Sequence, residues 1–238
     1  MRIIVFSLFC CIFTSSSFAQ KKGNNFFRDP YGYYQSDHGG YDFTLGFYQA
    51  NFKNLNNHMH QLGAKDDFGN YYFTAGLATI IPVGGRYGES NGLVALSVFI
   101  PKKVNVGDSL QFSLSGYQMT TSFLERDILP SEKFDFVVGI GASWGGAFYK
   151  EKRMDQIDRY DNLFFSPLAR AEFRYVKKKL ALGSRLTYRY DVTKSRWLSL
   201  YNDYPDIQGS KFSGIGFEIF IGLNLYPKPE SQFAPPTE

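Results

Sequence analysis

From Tyr41 onward, apolar residues alternate with small or polar residues at a period of two. This alternation is typical of strands that bury one face. It is clearest where Phe134 and Phe136 alternate with Asp135 and, further along, Gly139. Eight segments share it, spanning residues 41–50, 71–81, 93–100, 109–119, 134–148, 167–176, 180–192 and 214–226. The sequence therefore predicts an all-β chain of eight strands.

The polar face of these segments consists mainly of Gly, Ser, Thr and Ala, and no lysine falls inside a predicted strand. A soluble lipocalin-like barrel would need a charged exterior, which such a face does not provide. Small residues suit the narrow interior of an eight-stranded barrel. The apolar series, including Leu110, Phe112 and Leu114, is then predicted to face lipid, because about 9 to 11 residues suffice for a tilted strand to cross a bilayer.

Aromatic residues make up 18% of the chain and collect near the predicted strand ends. They predict one belt at the outer rim and one at the inner rim, as expected at membrane interfaces. The outer belt comprises 71–73, Trp144, Phe148, Tyr149, Phe164, Phe165, Tyr188 and Tyr190; the inner belt comprises Tyr41, Phe43, Phe134, Tyr175 and Tyr226. With these belts, the short turn at 177–179 is predicted to lie on the periplasmic side of the membrane. The longer connections at 51–70, 150–163 and 193–211 are predicted to lie on the outer side.

The final segment, Gly214 to Tyr226, alternates throughout and ends on an aromatic residue. With it, the stretch 41–226 resembles the eight-stranded outer-membrane barrel proteins of Gram-negative bacteria, the OmpA-like transmembrane barrel class, and more loosely the small barrels common in Bacteroidetes. The resemblance implies an antiparallel up-and-down transmembrane barrel in the cell envelope. It also implies contact with outer-membrane lipid and lipopolysaccharide, and the barrel assembly machinery as a partner during biogenesis.

The first 19 residues have the form of a secretory signal peptide. Arg2 precedes an apolar run at 3–13, and Ser17 and Ala19 place small residues where a signal peptidase reads, so cleavage is predicted before Gln20. Both cysteines lie in this segment, which predicts a mature chain without disulfide, cysteine metal site or cysteine nucleophile. Residues 20–40 are interpreted as a flexible periplasmic lead-in and 227–238 as a proline-rich tail.

Charge and hydropathy exclude two classes of protein. The formal net charge is +4 and the charges are dispersed, which does not favour nucleic-acid binding. A mean hydropathy of −0.26, with no later run of about 20 apolar residues, excludes an ordinary helical membrane protein.

Charged residues nevertheless recur on the predicted inner face. Four are arginines and four are carboxylates: Arg170, Arg174, Arg185, Arg189, Asp42, Asp135, Glu172 and Glu218. Unpaired charges are costly in a low-dielectric interior, so these residues are expected to form a bridged network that fills the lumen. The inward glycines, such as Gly183, Gly216 and Gly222, are expected to make room for large neighbours.

One connection has helical spacing. Phe52, Leu55, Met59 and Leu62 recur every three or four residues, which predicts a short loop helix within 51–63. His58 and His60 would lie on different faces of it, which disfavours a shared metal ion. The acidic stretch 155–161 is interpreted as a solvated loop rather than a calcium site.

The sequence thus predicts a non-enzymatic outer-membrane barrel without cofactor or pore. Its role would be structural, accessory or surface-binding, or that of a subunit in a larger envelope assembly. Two alternatives stay open. One is a lipid A-modifying enzyme, which would need a histidine and a residue such as Ser166 at the lipid face. The other is a soluble periplasmic lipocalin-like carrier.

Overall fold

The computed structural model of the protein describes residues 40–83, 90–128, 134–154, 156–193, 196–199 and 207–224. The predicted signal peptide, nearly all of the predicted lead-in, the last residues of the predicted barrel and the proline-rich tail lie outside these ranges.

The described residues form one helix and nine strands. In chain order they are β1 (Gly40–Gln49), α1 (Lys53–Gln61), β2 (Tyr71–Val83), β3 (Ser90–Val106), β4 (Leu110–Asp127), β5 (Phe134–Arg153), β6 (Gln156–Lys177), β7 (Leu180–Arg189), β8 (Leu198–Ser199) and β9 (Gly214–Asn224). Helix α1 falls within the predicted range 51–63. Within the described ranges, no helix is long and apolar enough to span a membrane.

Eight of the strands close into an antiparallel barrel. Strands β1 to β7 pair in sequence order, and β9 pairs with both β7 and β1. The two-residue β8 lies outside this ring and pairs only with Tyr160 and Asp161 of β6. The fold class predicted from the sequence, an all-β eight-stranded antiparallel barrel with a short helix, is therefore confirmed.

The strands of the barrel are unequal in length. Strands β1, β7 and β9 have 10 or 11 residues, whereas β3 to β6 have 17 to 22. We call the end with helix α1 and the β5–β6 turn at Met154 the capped end, and the end with the Lys178–Lys179 turn the opposite end. Strands β3 to β6 rise above the rest of the wall at the capped end as two long hairpins.

The predicted long connection at 150–163 is wrong. Strands β5 and β6 pair without interruption up to Arg153 and Gln156, and the turn passes through Met154, whose φ of 46° is left-handed. The placement of every lysine between strands is also wrong, because the strands run further than their apolar cores indicate. Five lysines lie in strands: Lys102, Lys103, Lys150, Lys152 and Lys177.

The outside of the wall is apolar. Exposed residues there include Phe43, Leu77, Phe173, Leu186 and Ile219. Strand β4 differs, because its outward residues include the polar Ser113, Ser115 and Thr121, which are partly exposed. Outward positions between Tyr41 and Phe47 on β1, between Phe134 and Phe148 on β5, and between Leu163 and Tyr175 on β6 carry no charged residue. The same holds for outward positions 180–188 on β7 and 215–223 on β9.

In one strand, the predicted direction of the apolar series is wrong. Phe112 and Leu114 of β4 are buried inside the capped end, with 0% and 2% exposure, instead of facing outward. The reason is that the inner face becomes apolar where helix α1 covers it. Tyr72, Tyr149 and Phe164, which the sequence placed in the outer aromatic belt, are buried in the interior for the same reason.

Candidate functional site

The polar lumen is built by inward positions of neighbouring strands in register. Glu172 of β6 lies opposite Arg185 of β7, which in turn lies opposite Glu218 of β9. Arg174 lies opposite Asp135 of β5, which is also buried. Side chains directly opposite each other on one face of a sheet are close enough to interact, so the strand register itself brings acids beside arginines.

Asp42 of β1 lies at the centre of this network. Nη1 and Nη2 of Arg174 donate to its two carboxylate oxygens over 3.2 and 2.6 Å, and Arg185 donates to it as well. Glu172 accepts from Nε of Arg174 at 2.8 Å and from Nε of Arg185 at 2.6 Å. These four side chains are at most 3% exposed. Two acids and two arginines are thus bridged in alternation, as desolvated charges require.

Two further acids extend the network. Nη2 of Arg170 lies 2.5 Å from Glu125 of β4 and 3.3 Å from Glu172. Glu218 lies 3.7 Å from Nη1 of Arg185 and accepts a 2.6 Å hydrogen bond from the hydroxyl of Tyr48. Sequence reasoning missed both Glu125 and Tyr48. Glu125 also accepts from Ser122, three residues earlier, and a β-bulge between Ser122 and Leu124 explains why both face inward.

Arg189 forms a second layer, toward the capped end. Its guanidinium donates to Oε1 of Gln118 at 2.9 Å and to the hydroxyl of Tyr72, which itself donates to Gln118 at 2.8 Å. The guanidinium also lies 4.5 Å from the ring centroid of Tyr48, within cation–π range. Arg189 therefore joins the charged lumen to the aromatic residues above it.

Inward glycines make room for these large side chains, as the sequence predicts. A Cβ at Gly216 would lie 2.2 Å from the Tyr48 ring, and one at Gly222 would lie 2.1 Å from Oδ1 of Asp42. At Gly183 it would lie 2.4 Å from Phe220. The Phe220 ring supports Arg174 and Arg185, whose guanidiniums lie 4.5 and 4.2 Å from its centroid.

The capped end is closed by an apolar core. Phe52, Leu55 and Met59, at the start and on one face of α1, are completely buried there. They belong to one cluster with inward residues of the wall and with the segment before β9: Phe99, Phe112, Leu114, Tyr149, Tyr160, Phe164, Trp197 and Phe212. The Phe212 ring contacts Phe52 and Phe164, with centroids 5.7 and 4.4 Å apart. Helix α1 therefore covers the mouth of the barrel.

The two histidines of α1 have different partners. Nε2 of His58 lies 2.6 Å from Oε1 of Glu151, whereas Nδ1 of His60 lies 2.8 Å from the carbonyl oxygen of Ala64. Glu151 is buried, and Nη2 of Arg153 donates to its other oxygen over 3.0 Å. Burial acts to raise the pKa of Glu151, but its contacts with His58 and Arg153 outweigh burial and hold the pKa below its ordinary value. No group of three metal-ligating side chains occurs in the described part of the chain.

The acidic stretch 155–161 is not a solvated loop. Asp158 and Asp161 lie in strand β6. Asp158 is buried beneath the cap, opposite Glu151, and Asp161 pairs with Arg159 at 2.9 Å. Asp155 lies outside the described residues.

An open polar cleft lies beside α1 at the capped end. It has a volume of about 560 Å³, and its lining includes Gln49, Asn51, Lys53, Asn57, His60 and Asn70. Side-chain amides dominate this lining, which also includes the carboxylate of Asp67, in contrast to the apolar core beneath the helix.

No protein-family model matches this chain, and no curated protein sequence matches it. Similar solved structures include the crystal structure of Ail, the attachment invasion locus protein of Yersinia pestis, with 11% identity and a TM-score of 0.37. Another is Ail in complex with the heparin analogue sucrose octasulfate, with 13% identity and a TM-score of 0.40. Each similarity covers 79% of this chain and 98% of Ail. At TM-scores below 0.5, neither supports an inference about this chain, and the fold assignment rests on its own strand pairing.

Proposed function

We propose that this protein is an integral outer-membrane β-barrel with a plugged lumen, acting through its capped end as a structural, accessory or surface-binding component of the envelope. The observation that carries the proposal is that the barrel wall has apolar side chains on its outer face and charged side chains on its inner face. Residues such as Phe43 and Ile219 cover its outside, while Asp42, Arg185 and Glu218 are buried inside. A lipocalin-like carrier would show the opposite arrangement in water.

The dimensions of the wall support a membrane-spanning role. The shortest strands, β1, β7 and β9, have 10 or 11 residues, and about 9 to 11 are needed to cross a bilayer. On β5 and β6, the uncharged outward positions end at Phe148 and Leu163. We take the strands between these limits and the opposite end as the spanning segments. The capped end carries the two longest connections between barrel strands, 50–70 and 190–213, so we take it to face outward and the opposite end to face the periplasm.

The ion network supports a closed lumen. An eight-stranded barrel has room for little more than its own side chains. Here Glu172 is held by Arg170, Arg174 and Arg185. The apolar core under α1 lies above this layer and adds a second obstruction. The proposed role needs no catalysis or cofactor.

The membrane location can be tested with purified protein. It should stay insoluble without detergent or lipid, fold in either, and migrate faster on gels before heating than after heating. A monomer that is freely soluble without detergent contradicts the proposal. Planar bilayers test the plug separately: the folded protein should insert without single-channel steps, and regular steps would overturn the closed lumen alone.

A lipid A-modifying enzyme remains the alternative. Ser166 does not support it, because its side chain is fully buried in the lumen, opposite Ser143. Mass spectra of lipid A from cells with and without the gene should be identical. A mass difference that the gene restores would favour the enzyme.

A further inference from the structure

The outer face of the β5–β6 hairpin carries several cations near the capped end. Along β5, Lys150 and Lys152 are exposed, while Glu151 between them is buried beneath the cap. On β6, Asp158 is buried and its neighbour Arg159 lies on the outward face. Because side chains alternate across a strand, Glu151 and Asp158 face the interior, whereas Lys150, Lys152 and Arg159 face outward.

The outward cations form a cluster across neighbouring strands. Lys150 lies directly opposite Arg159. Ser113 of β4 lies opposite both Lys150 and Lys103 of β3, which places Lys103 in the same row. Neighbouring strands are about 4.8 Å apart, and residues two apart along a strand are about 7 Å apart. Lys150, Lys152 and Arg159 can therefore reach one anionic group together.

The acidic residues nearby do not neutralise this cluster. Asp161 is an acidic residue on the outward face of the hairpin. Its carboxylate lies 2.9 Å from Nε of Arg159 and so pairs with that cation. The three other cations of the cluster, Lys103, Lys150 and Lys152, leave the row with a positive charge. Lys150 and Lys152 are also held apart from Glu151 by the strand itself.

The position of these cations, at the edge of the uncharged outer surface, indicates which kind of molecule they would contact. On the outward face of β5, Lys150 is the next residue after Phe148, which is the last aromatic residue of the uncharged outer surface on this strand. The Arg159 guanidinium lies 4.5 Å from the centroid of the Phe148 ring. Lysine and arginine at such a boundary keep their stems along apolar surface and their charged groups at the headgroup layer. Phosphate groups of lipids lie in that layer, and arginine and lysine bind phosphate well.

We propose that Lys150, Lys152 and Arg159, with Lys103 beside them, form a binding site for the phosphate groups of anionic lipid at the capped end. This proposal rests on the membrane location proposed above. Its ligand contacts the outside of the wall, so the site is separate from the ion network in the lumen and from the polar cleft beside α1.

The test compares two double variants that remove the same charge at opposite ends of the barrel. One is Lys150→Gln with Lys152→Gln, and the control is Lys177→Gln with Lys179→Gln at the opposite end. Each is reconstituted in vesicles of phosphatidylcholine, with and without phosphatidylglycerol. Native mass spectrometry of the released protein then measures the ratio of phosphatidylglycerol to phosphatidylcholine that it retains.

The unmodified protein and the control should retain phosphatidylglycerol preferentially. In the Lys150 and Lys152 variant, the ratio of retained phosphatidylglycerol to phosphatidylcholine should fall about tenfold. High salt should lower this ratio in every sample. Equal retention by both double variants, or no preference in the unmodified protein, overturns the lipid site while leaving the membrane location intact. Failure of the unmodified protein to insert into either vesicle overturns both proposals.

Discussion

The imidazole of His58 lies 2.6 Å from the carboxylate of Glu151, and this contact ties helix α1 to the extended part of strand β5. His58 is partly exposed, with 26% of its side chain accessible, whereas the side chain of Glu151 is 1% accessible. A buried carboxylate needs compensating partners. The contact therefore links the charge state of Glu151 to the position of the cap.

The cap should loosen in acid. Because the pKa of folded Glu151 lies below the ordinary value of 4.5, its contacts stabilise the fold above that pH, and this contribution is lost as the pH falls through the lower folded value. The chain has two tryptophans, so Trp144→Phe leaves Trp197, fully buried in the cap, as the only reporter. Its fluorescence should change below about pH 4.5.

Glu151→Gln in the same background is the control for this titration. The amide does not titrate, so the acid change in Trp197 fluorescence should shrink or disappear. An undiminished change in this variant would assign the transition to another group.

Arg185 should dominate the stability of the lumen, because it contacts Asp42, Glu172 and Glu218 while fully buried. Arg185→Gln should cost about 3 to 5 kcal/mol of unfolding free energy, since it leaves buried carboxylates uncompensated. Combining it with Asp42→Asn should cost less than the sum of the two single changes. Urea unfolding in lipid vesicles measures both effects.

In vesicles of phosphatidylcholine alone, which carry no anionic lipid for Arg159 to bind, Arg159→Gln is the matched control, because its pair with Asp161 is partly exposed. It should cost less than about 1 kcal/mol. Similar losses for Arg159→Gln and Arg185→Gln would show that burial of the network contributes little.

The sequence predicts the inner-face position of Asp42, Arg185 and Glu218 because each lies in an unbroken alternation. A bulge breaks that rule. Ser122 and Glu125 both face inward although they are three residues apart, because the register shifts between Ser122 and Leu124. Backbone pairing decides where such a shift occurs, and the residue types around it do not reveal it.

A period of two identifies which residues share a face, but it does not identify the inner face. Phe112 and Leu114 show this limit, because they are apolar and yet point inward. Their direction depends on helix α1, whose Leu55 and Met59 complete the same core. That long-range contact lies beyond any local pattern, as does the pairing of His58 with Glu151.

Gly216 should tolerate no side chain. A Cβ there would lie 2.2 Å from the Tyr48 ring, and moving that ring would break the 2.6 Å hydrogen bond from Tyr48 to Glu218. Gly216→Ala should therefore cost about 1 to 3 kcal/mol of unfolding free energy. Gly146→Ala is the control, because its Cβ would lie 3.3 Å from the nearest atoms, which belong to the side chains of Leu163 and Tyr117. Equal unfolding midpoints for the two variants would contradict this packing role.

The cap should detach without loss of the barrel. Leu55 is fully buried in the apolar core, so Leu55→Asp places a charge where no water compensates it, at a cost of several kcal/mol. The wall keeps its closed ladder of strand pairs, since none of these pairs involves α1. Leu55→Asp should therefore make residues 53–63 sensitive to protease, while the shift in gel migration on heating remains. Asn57→Asp, at an exposed position of the same helix, should resist protease like the unmodified protein; loss of the heat-dependent shift in Leu55→Asp would instead make the cap essential to the barrel.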